Sequence, residues 1–168
     1  MPVERKDTML KKITIGVIGS SAGDDGEAAL AEEVGARIAE RGAILVCGGM
    51  GGVMEAACRG ARAKGGMTIG ILPGSEKGSG NRHLDIVIPT GMGYARNALV
   101  VLAADGAIAV GGMFGTLTEI AYCHIYGIPV VGLRTWSLKE SRFPAGLSIF
   151  TTPAEATQAI FRKIEEEK

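Results

Sequence analysis

The sequence predicts an α/β protein with a Rossmann-like, doubly wound parallel sheet and helices on both faces. Three observations carry this. Short β-branched runs alternate along the chain with amphipathic stretches of about 10–15 residues, the pattern of successive βαβ units. The runs are apolar throughout rather than alternating, as in strands buried on both faces. Glycine, at 26 of 168 residues, gathers at the ends of those runs, where tight turns and close backbone approach are needed.

Taken in order, Ile13 to Ile18 reads as the first strand, and Gly19-Ser20-Ser21-Ala22-Gly23 as the loop after it. Asp24-x-x-Glu27 resembles a capping box that opens a helix. Leu30, Val34 and Ile38 line one face of this helix, Glu33, Arg37 and Arg41 form a charged stripe, and Gly42 stops it. Ala43 to Cys47 is the second strand, and Gly48-Gly49-Met50-Gly51-Gly52 the second turn. Val53 to Lys64 is a helix whose Ala57, Gly60 and Ala61 let it lie close to the sheet; Gly65-Gly66 ends it.

Strands follow at Met67 to Leu72 and Leu84 to Ile88, separated by a polar loop from Pro73 to Arg82. Tyr94 to Ala104 reads as a helix, Ala107 to Val110 as a strand, and Gly111-Gly112-Met113-Phe114-Gly115 as the third turn. A helix from Thr116 to Tyr126 is capped by Gly127, with Pro129 beyond it. Val130 to Leu133 and Ser148 to Phe150 are the last strands. Thr152-Pro153-x-Glu155 opens the final helix, which turns Ala156, Ile160 and Ile164 inward.

The whole chain, residues 1–168, fits one domain, with residues 1–11 as a polar tail. Lys+Arg and Asp+Glu both number 18, so charge makes no case for nucleic acid or a membrane surface as partner. Cys47, Cys58 and Cys123 are odd in number and lack C-x-x-C spacing, which argues against a disulfide framework or a zinc site. No apolar leader opens the chain, and Asp105 interrupts its longest apolar stretch, so a cytoplasmic location is expected.

In a parallel sheet the ligand sits beyond the carboxyl ends of the strands, and all three glycine turns fall at that edge. Two familiar phosphate motifs are excluded. Gly60 to Gly65 lacks the lysine and hydroxyl of a P-loop, and the turn after the first strand does not spell G-x-G-x-x-G. The third turn runs into Thr116-Leu117-Thr118-Glu119. Its glycines free backbone N–H groups to face an anion, the helix adds its positive end, and Thr116 adds a hydroxyl. Glu119, one turn along, projects toward whatever carries the phosphate.

Gly111 to Glu119 resembles the P-G-G-x-G-T-x-x-E motif of the LONELY GUY or "lysine decarboxylase-like" (SLOG) proteins. Gly19 to Gly23 resembles that family's G-S-S-x-G loop, Gly48 to Met54 its G-G-G-x-x-G-L-M segment, and Gly65 to Pro73 its G-G-x-V-x-G-V-I-P strand. The resemblance implies a nucleoside 5′-monophosphate phosphoribohydrolase, in which Glu119 and Arg96 are catalytic. Gly19, Ser20, Ser21, Gly48, Gly49, Gly111, Gly112, Gly115 and Thr116 would hold the phosphate and nucleotide. No metal and no required cofactor is implied, and nothing marks a pyridoxal phosphate lysine.

Two positions depart from the family pattern: its proline is Val110 here, and its M-H-x-R-K reads Gly93-Tyr94-Ala95-Arg96-Asn97. Those changes resemble the branch of molybdenum cofactor carrier proteins. The alternative is therefore a non-catalytic carrier of a phosphate-bearing cofactor such as molybdenum cofactor.

Plainer roles stand beside several of these. Thr116-x-x-Glu119 is itself a capping box, Arg96 could snorkel from a helix end, and Ser20 and Ser21 could satisfy turn backbone. His83 and His124 read as structural and Cys47 as a small packed hydrophobe, while Trp136 and Phe143 offer a lid or plain packing. The charge-free stretch Ala98 to Ala104 and the apolar Ile120 to Tyr126 call for cover on more than one side. A two-fold dimer, or two such dimers paired as a tetramer, would supply it.

Overall fold

The computed structural model describes residues 11–138 and 146–167. The tail at residues 1–11, all but its last residue, and Phe143 lie outside the described residues. Seven strands form one sheet: β1 (Thr14–Gly19), β2 (Ile44–Cys47), β3 (Thr68–Leu72), β4 (Ile86–Pro89), β5 (Gly106–Val110), β6 (Val130–Leu133) and β7 (Ser148–Phe150). Every pairing is parallel and the order is β4-β3-β2-β1-β5-β6-β7. The chain works outward from β1 to β4, then returns to β1's other side with β5. This is the doubly wound, Rossmann-like arrangement the sequence predicts, and its switch point lies between β1 and β5.

Five helices cover the sheet: α1 (Asp25–Glu40), α2 (Val53–Ala63), α3 (Asn97–Leu102), α4 (Phe114–Tyr126) and α5 (Pro153–Glu166). One core packs α1, α2 and α5 around Ile15, Val17, Leu45 and Ile108. The other packs α3 and α4 around Ile18, Val46, Ala107 and Ala109. Adjacent residues of one strand thus serve opposite cores, which is why the strands read as unbroken apolar runs.

Local chemistry sets the helix ends. The Asp24 carboxylate caps α1 by accepting the Glu27 N–H at 2.7 Å, and Gly42 ends it at φ +71°. In α5 the Thr152–Glu155 capping box closes in both directions. Gly127 closes α4 in the left-handed conformation.

Three helical details differ from the sequence reading. The small face of α2 serves α1 more than the sheet, because a Cβ at Gly60 would fall on the Glu32 backbone and one at Gly35 on the Ala57 backbone. The stretch from Tyr94 is a 3-10 turn, Gly93–Arg96, followed by a short α3. Finally, α4 begins at Phe114 with Met113 as N-cap and no side-chain cap. Thr116 is therefore inside the first turn, and Thr116-x-x-Glu119 is not a capping box. The backbone leaves the glycine turn as soon as Gly112 ends the positive-φ run, two residues earlier than propensity suggests.

Candidate functional site

Gly19, the last residue of β1, sits in register with Val110, the last of β5. The first and third glycine turns therefore leave the sheet side by side, and the second leaves β2 next to them. Between them opens a cavity of about 460 Å³, within the usual size of small-molecule sites. Its floor and near wall come from Gly19, Ser20 and Ser21. Gly115, Thr116 and Glu119 of α4 line another side, together with Arg96 at the end of the 3-10 turn and Asn97 at the start of α3.

Arg96 is drawn inward, only 7% exposed. Its Nη2 donates to the Gly48 carbonyl at 3.1 Å and its Nη1 to the Asn97 Oδ1, while its buried Nε has no hydrogen-bond partner. Burial lowers its pKa, and the neighbouring Glu119 carboxyl opposes that. Arg96 is thus an interior group rather than a snorkelling one. Asn97 in turn donates from Nδ2 to the Gly115 carbonyl at 3.4 Å, linking Arg96 to the third turn.

Glu119 is 5% exposed. Burial pushes its carboxyl up to about 8, against the pull of Arg96. That shift favours the protonated form, which can donate a hydrogen bond. Lining the cavity are therefore one buried guanidinium, one buried carboxyl, the first turn from Gly19 to Ala22, and Met113, Gly115 and Thr116 at the N-terminus of α4, whereas Gly111 and Gly112 do not line it. That set suits an anion.

The other predicted residues have different duties. Ser20 Oγ accepts the Ala22 N–H at 3.0 Å, so this hydroxyl serves its own turn, although Ser20 and Ser21 both line the cavity. Gly48 and Gly49 stand behind the wall: Gly48 makes room for Arg96, and Gly49, at φ +73°, donates to the Cys47 Sγ at 3.3 Å. Cys47 is packed as expected, 3.5 Å from the Cys58 Sγ. Gly111 and Gly112, at φ +54° and +102°, shape the third turn beneath Glu27 and Thr116.

His83 lies 4.0 Å from Glu55 and His124 lies in α4; neither borders the cavity. Among the described residues no group of His, Cys, Asp and Glu could hold a metal ion.

Several cavity residues escaped the sequence reading: Met50, Met54, Pro73, Tyr94 and Met113. Tyr94 and Met113 are strongly exposed at the mouth, and nothing in their local pattern separates them from ordinary surface residues. Asn97 stood out only as a departure beside Arg96.

The segment after β6 also meets the third turn. Arg134 pairs with Asp24 at 3.6 Å, Thr135 Oγ1 donates to the Gly111 carbonyl, and Trp136 Nε1 donates to the Met113 carbonyl at 3.2 Å. The Trp136 ring stacks on Phe114, centroids 5.9 Å apart, so it packs on the turn rather than over the cavity.

A family model described as LDcluster4, SLOG cluster4 family, matches residues 12–161. An uncharacterized protein of Archaeoglobus fulgidus is 44% identical over 147 residues, 88% of this chain and 93% of that one. The structure of the molybdenum cofactor binding protein from Rippkaea orientalis superposes with a TM-score of 0.85 at 34% identity, covering 92% of this chain and 99% of that one. A cytokinin riboside 5′-monophosphate phosphoribohydrolase of Mycobacterium tuberculosis is 35% identical over 120 residues, 64% of this chain and 62% of that one. With its switch-point cavity, its three glycine turns and a family match over nearly the whole length, this chain belongs to the SLOG cluster4 family.

Proposed function

We propose that this protein binds a small phosphate-bearing, nucleotide-like ligand in the switch-point cavity and carries it without chemical change, with a molybdenum cofactor as the specific candidate. The observation that carries this is that a buried Arg96 and a buried Glu119, whose carboxyl is pushed up to about 8, line one cavity. An anionic ligand would meet the Arg96 cation there, and the raised pKa of Glu119 lessens the opposing carboxylate charge. The turn amides would take the phosphate and Arg96 the remaining anionic groups. Tyr94 and Met113 at the mouth would take a flat ring system. The likeness to the Rippkaea orientalis cofactor-binding protein, nearly full-length in both chains, supports the same reading.

A second reading is hydrolysis of the N-glycosidic bond of a nucleoside 5′-monophosphate. It is favoured by Glu119 and Arg96 facing one cavity and by the partial likeness to the phosphoribohydrolase. Water would add to the ribose C1′ as the base departs with the bonding pair, and an ionised Glu119 would take the water proton and steady the positive sugar. The likeness to the phosphoribohydrolase covers only 64% of this chain and 62% of that one, against 92% and 99% for the cofactor-binding protein, which ranks this reading second.

Mass spectrometry of what co-purifies with the protein, alongside a base-release assay on a nucleotide panel, tests both. A bound pterin or intact nucleotide with no free base supports carriage. Steady release of base from a nucleoside monophosphate would overturn it in favour of the hydrolase.

The assembly belongs to the same proposal. The α3 and α4 helices pack side by side and leave Leu99, Leu102, Ile125 and Tyr126 exposed. A second copy would cover this face as a two-fold dimer, in a cytoplasmic protein. Among the described residues no helix is long and apolar enough to cross a membrane.

A further inference from the structure

Arg37, Arg59, Arg62 and Arg134 lie partly exposed at the surface, and each meets a carboxylate. Arg96 is buried, yet it belongs to none of the ion pairs among the described residues. Buried charges are ordinarily paired, because an unpaired one forfeits its hydration for nothing.

Both hydrogen-bond partners of Arg96 are neutral. Nη2 donates to the Gly48 carbonyl and Nη1 to the Asn97 Oδ1. The guanidinium is therefore held in place without a bonded carboxylate, and Glu119 acts on it only at a distance.

Asn97 suits this task chemically. It is 2% exposed at the start of α3. Its amide offers an acceptor and a donor at once: the oxygen takes Arg96, and Nδ2 donates to the Gly115 carbonyl at 3.4 Å. Aspartate would fill the same space and grip Arg96, but its charge would offset the cation's and it has no hydrogen for Gly115. Leucine would fill the space and grip neither. Arg96 and Asn97 both line the cavity, so the residue that is held and the residue that holds it both border the ligand.

We propose that Asn97 is a positioning residue that fixes the Arg96 guanidinium through a neutral acceptor and so keeps its positive charge available to an anionic ligand. The proposal rests on the phosphate-binding reading above and deepens it. The ligand class is a small molecule that carries an oxyanion, with a phosphate monoester as the probe.

Calorimetric titration of the full chain with adenosine monophosphate and with adenosine tests this, the readout being the ratio of the two affinities. Asn97→Asp and Asn97→Leu both keep the size of asparagine, and thermal melting checks that each is folded. Asn97→Asp retains an acceptor for Arg96 but adds a charge, and should lower the ratio about tenfold or more. Asn97→Leu loses both hydrogen bonds and adds no charge, and should lower it about threefold. In an Arg96→Gln background, where the cation is gone, Asn97→Leu should lower the ratio no further.

A merely structural Asn97 predicts the reverse order, since Asn97→Asp preserves more hydrogen bonding than Asn97→Leu. Any descending order other than wild type, Asn97→Leu, Asn97→Asp overturns the proposal, and so does a further loss in the Arg96→Gln background. Should Asn97→Asp not fold, Asn97→Leu compared in the two backgrounds still decides. The phosphate-binding reading survives each of these results. A wild type that binds adenosine monophosphate no better than adenosine overturns that reading itself, and this proposal with it.

Discussion

The Arg96 guanidinium donates to the Gly48 carbonyl at 3.1 Å, so the residue just before α3 is anchored on the turn that follows β2. This contact works across the sheet edge between elements 48 residues apart in sequence, and it holds the one buried cation of the described cavity wall in place. A Cβ on Gly48 would fall against the guanidinium and lie 2.9 Å from the Met54 Sδ. Gly48→Ala should push Arg96 off its carbonyl and cost ligand affinity about tenfold, in line with a hydrogen bond to a charged donor. Titration with adenosine monophosphate measures it; unchanged affinity would show that Arg96 does not need this anchor.

Gly112 stands at φ +102°, and any side chain there would run into Thr116. Gly112→Val should erase the preference for adenosine monophosphate over adenosine, because the turn could no longer approach the phosphate. Thermal shifts with both ligands check this. A variant that folds and still prefers the phosphate would place the phosphate elsewhere.

Glu119 predicts a pH dependence of definite sign. Its folded pKa, about 8, lies above the ordinary carboxyl value of 4.5. Its protonated form therefore contributes stability fully below about 4.5, and this is lost as pH rises through about 8. Glu119→Gln, neutral throughout, should match wild type in acid and exceed it progressively from pH 4.5 upward, levelling above pH 8. A tenfold change in a protonation equilibrium corresponds to about 1.4 kcal/mol, so the gap in melting temperature should be large. Flat, parallel melting curves against pH would mean an ordinary Glu119. In the base-release assay the same variant should abolish any hydrolysis while retaining nucleotide binding.

Leu102 and Ile125 are 53% and 69% exposed on neighbouring helices. In a dimer that covers them, Leu102→Glu with Ile125→Glu should convert a light-scattering mass of two copies or more into that of a 17.4 kDa monomer. A wild type that is already monomeric at micromolar concentration would show that this apolar face stays open in solution.

The strands and the helix ends were legible because their causes are local. β-branched runs, Asp24, Gly42, Gly127 and the Thr152–Glu155 box act within a few residues, so periodicity and capping reveal them. The glycine turns were legible for the same reason: a sharp strand-to-helix turn favours glycine wherever it lies. Where local rules failed, neighbours had prevailed. The first turn of α4 begins at Phe114, directly after a glycine turn whose Gly111 and Met113 carbonyls accept from Thr135 and Trp136.

Residue type and short-range spacing suffice for the layered α/β fold and for the edge at which the glycine turns gather, whereas Glu119 stood out by its place one turn past the third glycine turn and Arg96 through the family resemblance. Packing between distant segments adds that Arg96 turns inward to Gly48, that burial pushes the Glu119 carboxyl up to about 8, that Gly48, Gly49, Gly111 and Gly112 do not line the cavity, and that Thr135 and Trp136 donate to carbonyls of the third turn. Those outcomes depend on strand order, which brings Gly19 beside Val110, and on burial, which moves a carboxyl's pKa by removing water. Neither strand order nor the loss of water is written in any single stretch of chain.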